Sequence, residues 1–214
     1  MYYFIEPMRE EDIPAVQEIE RQSFSSPWSA NTYRRELRSP ETSRYIVARA
    51  SPTPLTEPPA LLQHQRRGLL ATLLPGLFSQ RQELSPYPII GYGGVWLMVD
   101  EGHITTIAVD PKERGKGVGE LLLNALIDQA YDLGASILTL EVRISNTTAQ
   151  NLYLKYGFQP AGTRPRYYTD NNEDALIMWT ENIHSPAFKV RLKELRAHLA
   201  ARLQAQASLS RMRE

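Results

Sequence analysis

The feature that most constrains this chain is an apolar, β-branched run that breaks into a glycine cluster and passes at once into a helix. It reads Ile104-Thr-Thr-Ile-Ala-Val-Asp-Pro-Lys-Glu-Arg-Gly-Lys-Gly-Val-Gly-Glu120. Residues 103–109 have strand composition, and from Gly117 to Leu133 the residues Leu122, Leu126, Ala130 and Leu133 recur at helical spacing. A helix that starts where a strand ends presents unpaired backbone N–H groups and the positive end of its dipole, so it favours an anion. Gly115, Gly117 and Gly119 let a phosphate approach the backbone, and Arg114 and Lys116 add positive charge. A Walker loop is excluded, because Lys116 is followed by Gly117 where Ser or Thr is required. A dinucleotide fingerprint fits poorly, with Glu120 in place of its third glycine. Glu141, about 20 residues on, could imitate the ribose-binding acid, so that reading stays open beside a purely structural turn.

Around this core the chain alternates strands and helices. Strands are expected at Tyr2–Ile5, Arg44–Ala50, Ile89–Asp100, His103–Val109, Ile137–Ile144, Gly157–Gly162 and Asp174–Thr180. Helices are expected at Glu11–Ser23, from a Ser29 cap to Leu37, at Gly117–Leu133 and at Thr147–Tyr156. Pro52, Pro54, Pro58 and Pro59 on one side and Pro86 and Pro88 on the other bracket an insertion at about 51–88, with an apolar helix expected within Leu61–Phe78. From Pro186 onward, Leu192, Leu195, Leu199 and Leu203 predict one long helix with basic flanks. The expected organisation is one domain over 1–183 and a helical extension over 184–214. The insertion or the extension is a candidate for partner contact, beside the plainer reading of a packed helix and a solvated charged face.

Composition removes several chemistries. Twenty-four basic residues balance 24 acidic ones, which argues against binding nucleic acid by bulk charge. With no cysteine there is no thiol nucleophile, disulfide or thiolate metal site, and the four histidines stand far apart, so no metal is expected. No apolar run approaches the roughly 20 residues that span a bilayer, and Met1–Glu10 lacks the pattern of an export signal. A cytoplasmic protein without membrane contact is expected.

Two polar residues stand out against this frame. In Leu138-Thr-Leu-Glu-Val-Arg143 the apolar residues alternate with Thr139, Glu141 and Arg143, which turns Glu141 away from the core leucines. A carboxylate there could act as a general base, or it could form an ion pair with Arg143 or Arg166. Tyr153, in Asn151-Leu-Tyr-Leu-Lys-Tyr-Gly-Phe158, could donate a proton from its hydroxyl, or it could be a core aromatic.

Arg114-x-x-Gly117-x-Gly119 resembles the Arg/Gln-x-x-Gly-x-Gly/Ala coenzyme A loop of the GCN5-related N-acetyltransferases, the GNAT family. Phe24-Ser-Ser-Pro-Trp-Ser29, Leu140-Glu-Val-Arg143, Ser145-Asn146, Leu152-Tyr153, Tyr156-Gly-Phe158 and Arg166-Tyr-Tyr168 resemble its RimI-type, ribosomal-protein-alanine branch. The likeness covers about 1–50 and 89–181. It implies an α/β GNAT fold, a mixed twisted sheet flanked by helices, with acetyl-CoA as co-substrate. Matched position by position, it makes Glu141 the general base and Tyr153 the general acid. Coenzyme contacts would come from Ile107, Ala108 and Val109 on the strand, from Arg114, Gly115, Lys116, Gly117, Val118, Gly119 and Glu120 in the loop, and from Asn146. The implied acceptor is a protein N-terminus, the alanine of ribosomal protein S18. Another protein N-terminus or a small amine is the alternative, and a coenzyme- or dinucleotide-binding module without catalysis is the third reading.

Overall fold

The computed structural model describes residues 1–54 and 85–211. The insertion helix expected within Leu61–Phe78 falls outside the described residues. The elements in chain order are β1 (Tyr2–Pro7), α1 (Ile13–Ser23), α2 (Ala30–Leu37), β2 (Ser43–Ser51), β3 (Ile89–Met98), β4 (Glu101–Val109), α3 (Val118–Leu133), β5 (Ile137–Arg143), α4 (Thr147–Lys155), β6 (Phe158–Tyr168), β7 (Glu173–Thr180) and α5 (Pro186–Arg211). The strands form one seven-stranded sheet in the order β1-β2-β3-β4-β5-β7-β6. All neighbours are antiparallel except β4 and β5, which run parallel because α3 carries the chain between them.

Alternation along the central strands feeds two cores. Ile46, Ala48 and Ala50 of β2 join Leu122, Leu123, Leu126 and Ile127 of α3 on one face, while Tyr45 and Val47 join Val16, Ile19 and Tyr33 of α1 and α2 on the other. Both faces are covered, so β2 reads as a nearly continuous buried run. The long helix α5 continues the first core, burying Phe188, Leu192, Leu199 and Ala207. Arg49 ties the other edge together, donating to Glu6 and Asp12 at 2.6 Å each with its side chain 6% exposed.

The strands match the sequence reading except at β6, which extends to Tyr168 rather than ending at Gly162. Pro160, Gly162 and Pro165 look like breakers, but β6 is an edge strand. There a missing N–H can face solvent, and the ladder with β7 absorbs the irregularity as register shifts at Pro160/Gly162 and Arg164/Tyr168.

Candidate active site

The site begins where the sheet fails to close. β4 and β5 are paired only from Glu101↔Ile137 to His103↔Thr139. Beyond that, β4 stays with β3 as far as Gly91↔Val109 and β5 stays with β7 as far as Arg143↔Ala175, so the two strands part. The β5-facing edge of Ile104–Val109 is therefore left without a strand partner. A cleft of about 580 Å³ lies there, lined by His103–Ile107, Leu140–Arg143, Asn146 and Tyr153, and on its far side by Glu20, residues 23–26, Trp28, Trp96 and residues 167–170.

Glu141 enters this cleft because Leu138, Leu140 and Val142 are held in the core on the other face. Its side chain is only 7% exposed and its two oxygens have separate partners, Arg164 Nη2 at 3.0 Å and His103 Nε2 at 3.2 Å. The ion pair with Arg143 or Arg166 does not form; Arg164 supplies the guanidinium. Arg143 is drawn off by Asp170 at 2.8 Å and Glu173 at 3.0 Å, with its guanidinium over the Tyr168 ring.

The hydrogen-bond inventory fixes the polarity of the group behind Glu141. Thr139 has one hydroxyl proton and gives it to Glu101 at 2.5 Å, so it must accept from His103 Nδ1 at 2.9 Å. That leaves Nε2 facing Glu141 Oε2 at the cleft end of a run of contacts that passes from Glu101 through Thr139 and His103. Sequence reasoning missed His103, since its only signal is the short parallel register that sets it beside Thr139.

Tyr153 also lines the cleft, its ring 5.7 Å from Phe158. Burial first, and then Tyr168, pushes its hydroxyl well above the ordinary tyrosine value, so it keeps its proton at neutral pH. Asn146 lines the same cleft and caps α4, its side-chain oxygen accepting from Ala149 N–H at 3.1 Å. The far wall is ordered by Glu20, which accepts from Trp28 N–H at 3.0 Å and Tyr33 Oη at 2.8 Å and sets Trp28 against Trp96. Burial raises the Glu20 carboxyl above its usual range.

Of the predicted coenzyme contacts, Ile107 and Asn146 line the cleft; Ala108 and Val109 at the end of β4, and residues 114–120 past it, lie outside the cleft lining. No side chain caps the start of α3, and Gly117 there takes φ 94°. A Cβ on Gly115 would meet nothing within 4 Å and one on Gly119 only Val109 Cγ2 at 3.7 Å, so the turn presents open backbone. Arg114 bonds the Val109 carbonyl at 3.1 Å and Ser23 at 3.2 Å, and Lys116 pairs with Glu113 at 3.1 Å. The Glu120 carboxylate is taken by Lys155, Tyr156 and Arg202, which leaves its backbone rather than its side chain for a ligand.

This geometry has known counterparts. The model of the acetyltransferase (GNAT) family matches residues 60–158. A Bacillus subtilis protein provisionally assigned as a ribosomal protein bS18-alanine N-acetyltransferase is 38% identical over 172 residues, 80% of this chain and 91% of that one. The chain belongs to the GNAT family. The Escherichia coli K12 ribosomal protein bS18-alanine N-acetyltransferase is 32% identical over 169 residues, 78% of this chain and 89% of its own. The crystal structure of the Escherichia coli enzyme superposes with a TM-score of 0.57 at 28% identity, covering 83% of this chain and 92% of that one. GNAT enzymes take their acetyl group from acetyl-CoA, and the residues present fit it: an unpaired strand edge for an extended arm and an uncapped helix start for phosphates. Among the described residues no group of three or more His, Asp or Glu gathers as for a metal ion, and no helix is long and apolar enough to cross a membrane.

Proposed function

We propose that this GNAT enzyme acetylates the N-terminal alanine of ribosomal protein S18 in the cytoplasm, by direct transfer with Glu141 as base and Tyr153 as acid. The observation that carries the reading is that both residues line the one cleft where β4 and β5 part. The acceptor follows from the relatives assigned that substrate, which match over most of their length.

Acetyl-CoA, when bound, supplies the thioester carbonyl that the acceptor amine attacks. An α-amino group has a pKa of about 7.7 to 8.0, so at neutral pH it must lose a proton before it is nucleophilic. Glu141 takes that proton on its carboxylate, with His103 Nε2 beside one oxygen. Arg164 holds the other carboxylate oxygen. The unpaired β4 edge near Val109 offers a backbone N–H to the carbonyl oxygen as it gains charge. Tyr153 holds its proton until a thiolate departs and then donates it. Incubating the purified enzyme with acetyl-CoA and synthetic peptides, followed by mass spectrometry, tests the acceptor. Acetylation of an S18 N-terminal peptide in preference to variants starting with Met or Lys is expected, and equal labelling of all three would refute the acceptor assignment.

A further inference from the structure

The long C-terminal helix brings a further cation to the glycine turn. Arg114 there donates to the Val109 carbonyl and Ser23, and Lys116 pairs with Glu113. Against the same turn, across α3, lies α5. A Cβ built on Gly117 would fall 3.0 Å from Arg202 Nη2, 3.2 Å from Leu203 and 3.5 Å from Leu199, so α5 crosses directly over the glycine. Arg202 Nη2 lies 2.7 Å from Glu120 Oε2, and Lys155 Nζ lies 2.6 Å from Oε1 of the same carboxylate.

Two cations on one carboxylate leave a net positive charge beside the open amides of α3. Glu120 is nearly buried, while Arg202 and Lys155 remain 46% and 39% exposed. A guanidinium has five N–H donors, and Glu120 occupies the direction of one nitrogen only. Arg202 is thus held at a fixed place by a buried anchor, with donors left for an anion at the glycine turn.

We infer that Arg202, delivered by the C-terminal helix, binds the phosphate groups of coenzyme A and makes that helix part of the coenzyme site. The inference rests on the glycine turn being the phosphate loop, which is tested separately by Gly119→Val below. The two sources of phosphate on the coenzyme, its diphosphate and its 3′-phosphate, are distinguished by comparing acetyl-CoA with 3′-dephospho-acetyl-CoA.

The experiment is calorimetric titration of the full-length chain and its Arg202→Gln and Arg202→Lys variants with both ligands, with the melting temperature of each protein measured alongside. Arg202→Gln should bind acetyl-CoA about tenfold more weakly, and Arg202→Lys, which keeps the charge but not the fork of donors, should lose less than Arg202→Gln. A parallel loss on both ligands assigns Arg202 to the diphosphate, and a loss confined to acetyl-CoA assigns it to the 3′-phosphate. Unaltered or tighter binding by Arg202→Gln would overturn the inference, the latter meaning that the side chain obstructs the turn. So would equal losses in both variants together with a lowered melting temperature, which would reduce Arg202 to a brace for Glu120.

Discussion

The two sides of the cleft are built in different ways. On the side proposed for the coenzyme, β4 leads out of the cleft into the glycine turn and the start of α3 within 104–120, and what it presents is backbone amides. On the side proposed for the acceptor, Glu20 comes from α1, Trp28 from the connection between α1 and α2, Trp96 from β3, and Tyr167 and Asp170 from the β6–β7 hairpin. One side can be read as a motif because it is local. The other exists only once the sheet has set distant residues together.

Substitutions can break that contrast, and the largest effect belongs to the residue at the seam. Glu141→Gln should slow transfer by about 10²- to 10⁴-fold at pH 7 while acetyl-CoA binding survives. The defect should shrink as the pH rises through about 8, where the amine loses its proton unaided. Unchanged turnover in steady-state assays would remove Glu141 from the reaction. Tyr153→Phe should cost turnover on the order of 10²-fold with the coenzyme Michaelis constant little moved, since it removes a proton donor and leaves the ring on Phe158. Its hydroxyl titrates above the ordinary tyrosine range, so ionisation of Tyr153 should not set the alkaline limb of the wild-type rate profile.

A smaller effect tests the local side alone. Gly119→Val should weaken acetyl-CoA binding about tenfold, roughly 1.4 kcal/mol, because a branched side chain stands where phosphate would approach. Gly119 suits this test better than Gly117. A Cβ on Gly117 meets Arg202 and Leu203, and φ 94° strains any L residue, so that variant would disturb α5 as well. Calorimetry showing full affinity in Gly119→Val would defeat the reading of the turn.

The smallest effect concerns the hairpin on the assembled side. Glu173 accepts from Ser145 and Arg143, and these partners lower its carboxyl from 4.5 to about 2. A depressed carboxylate adds stability above its unfolded value and loses it as the pH falls through its folded one. Glu173→Gln should therefore lower the melting temperature at pH 7, and by less as the pH drops from about 4.5 towards 2. A difference that stays constant over that window would mean the contact is not electrostatic.

Legibility followed the same division. Apolar spacing placed α1, α3 and α5 and the central strands, since those faces are buried as their periods require. The alternation around Glu141 correctly turned it from the core. What it could not give was the carboxylate's partners: Arg164 lies on a strand whose prolines disguise it, and His103 depends on three residue pairs of parallel register. Glu20 carries no signal of its own in the sequence, and its burial against Trp28 and Tyr33 arises only in the folded wall. The fate of Arg114, Lys116 and Glu120 was equally hidden, because a charge written beside a loop carries no record of which neighbour will claim it.

The prolines of β6 have a consequence beyond shape. An open sheet edge normally invites a neighbouring molecule to add a strand, the first step of ordered aggregation. Along β6, Pro160 and Pro165 lack the N–H a docking strand would need, two slips of register break the row of donors and acceptors, and Arg166 adds like charge where two copies would meet. The edge that borders the cleft can stay uncovered and still resist polymerisation.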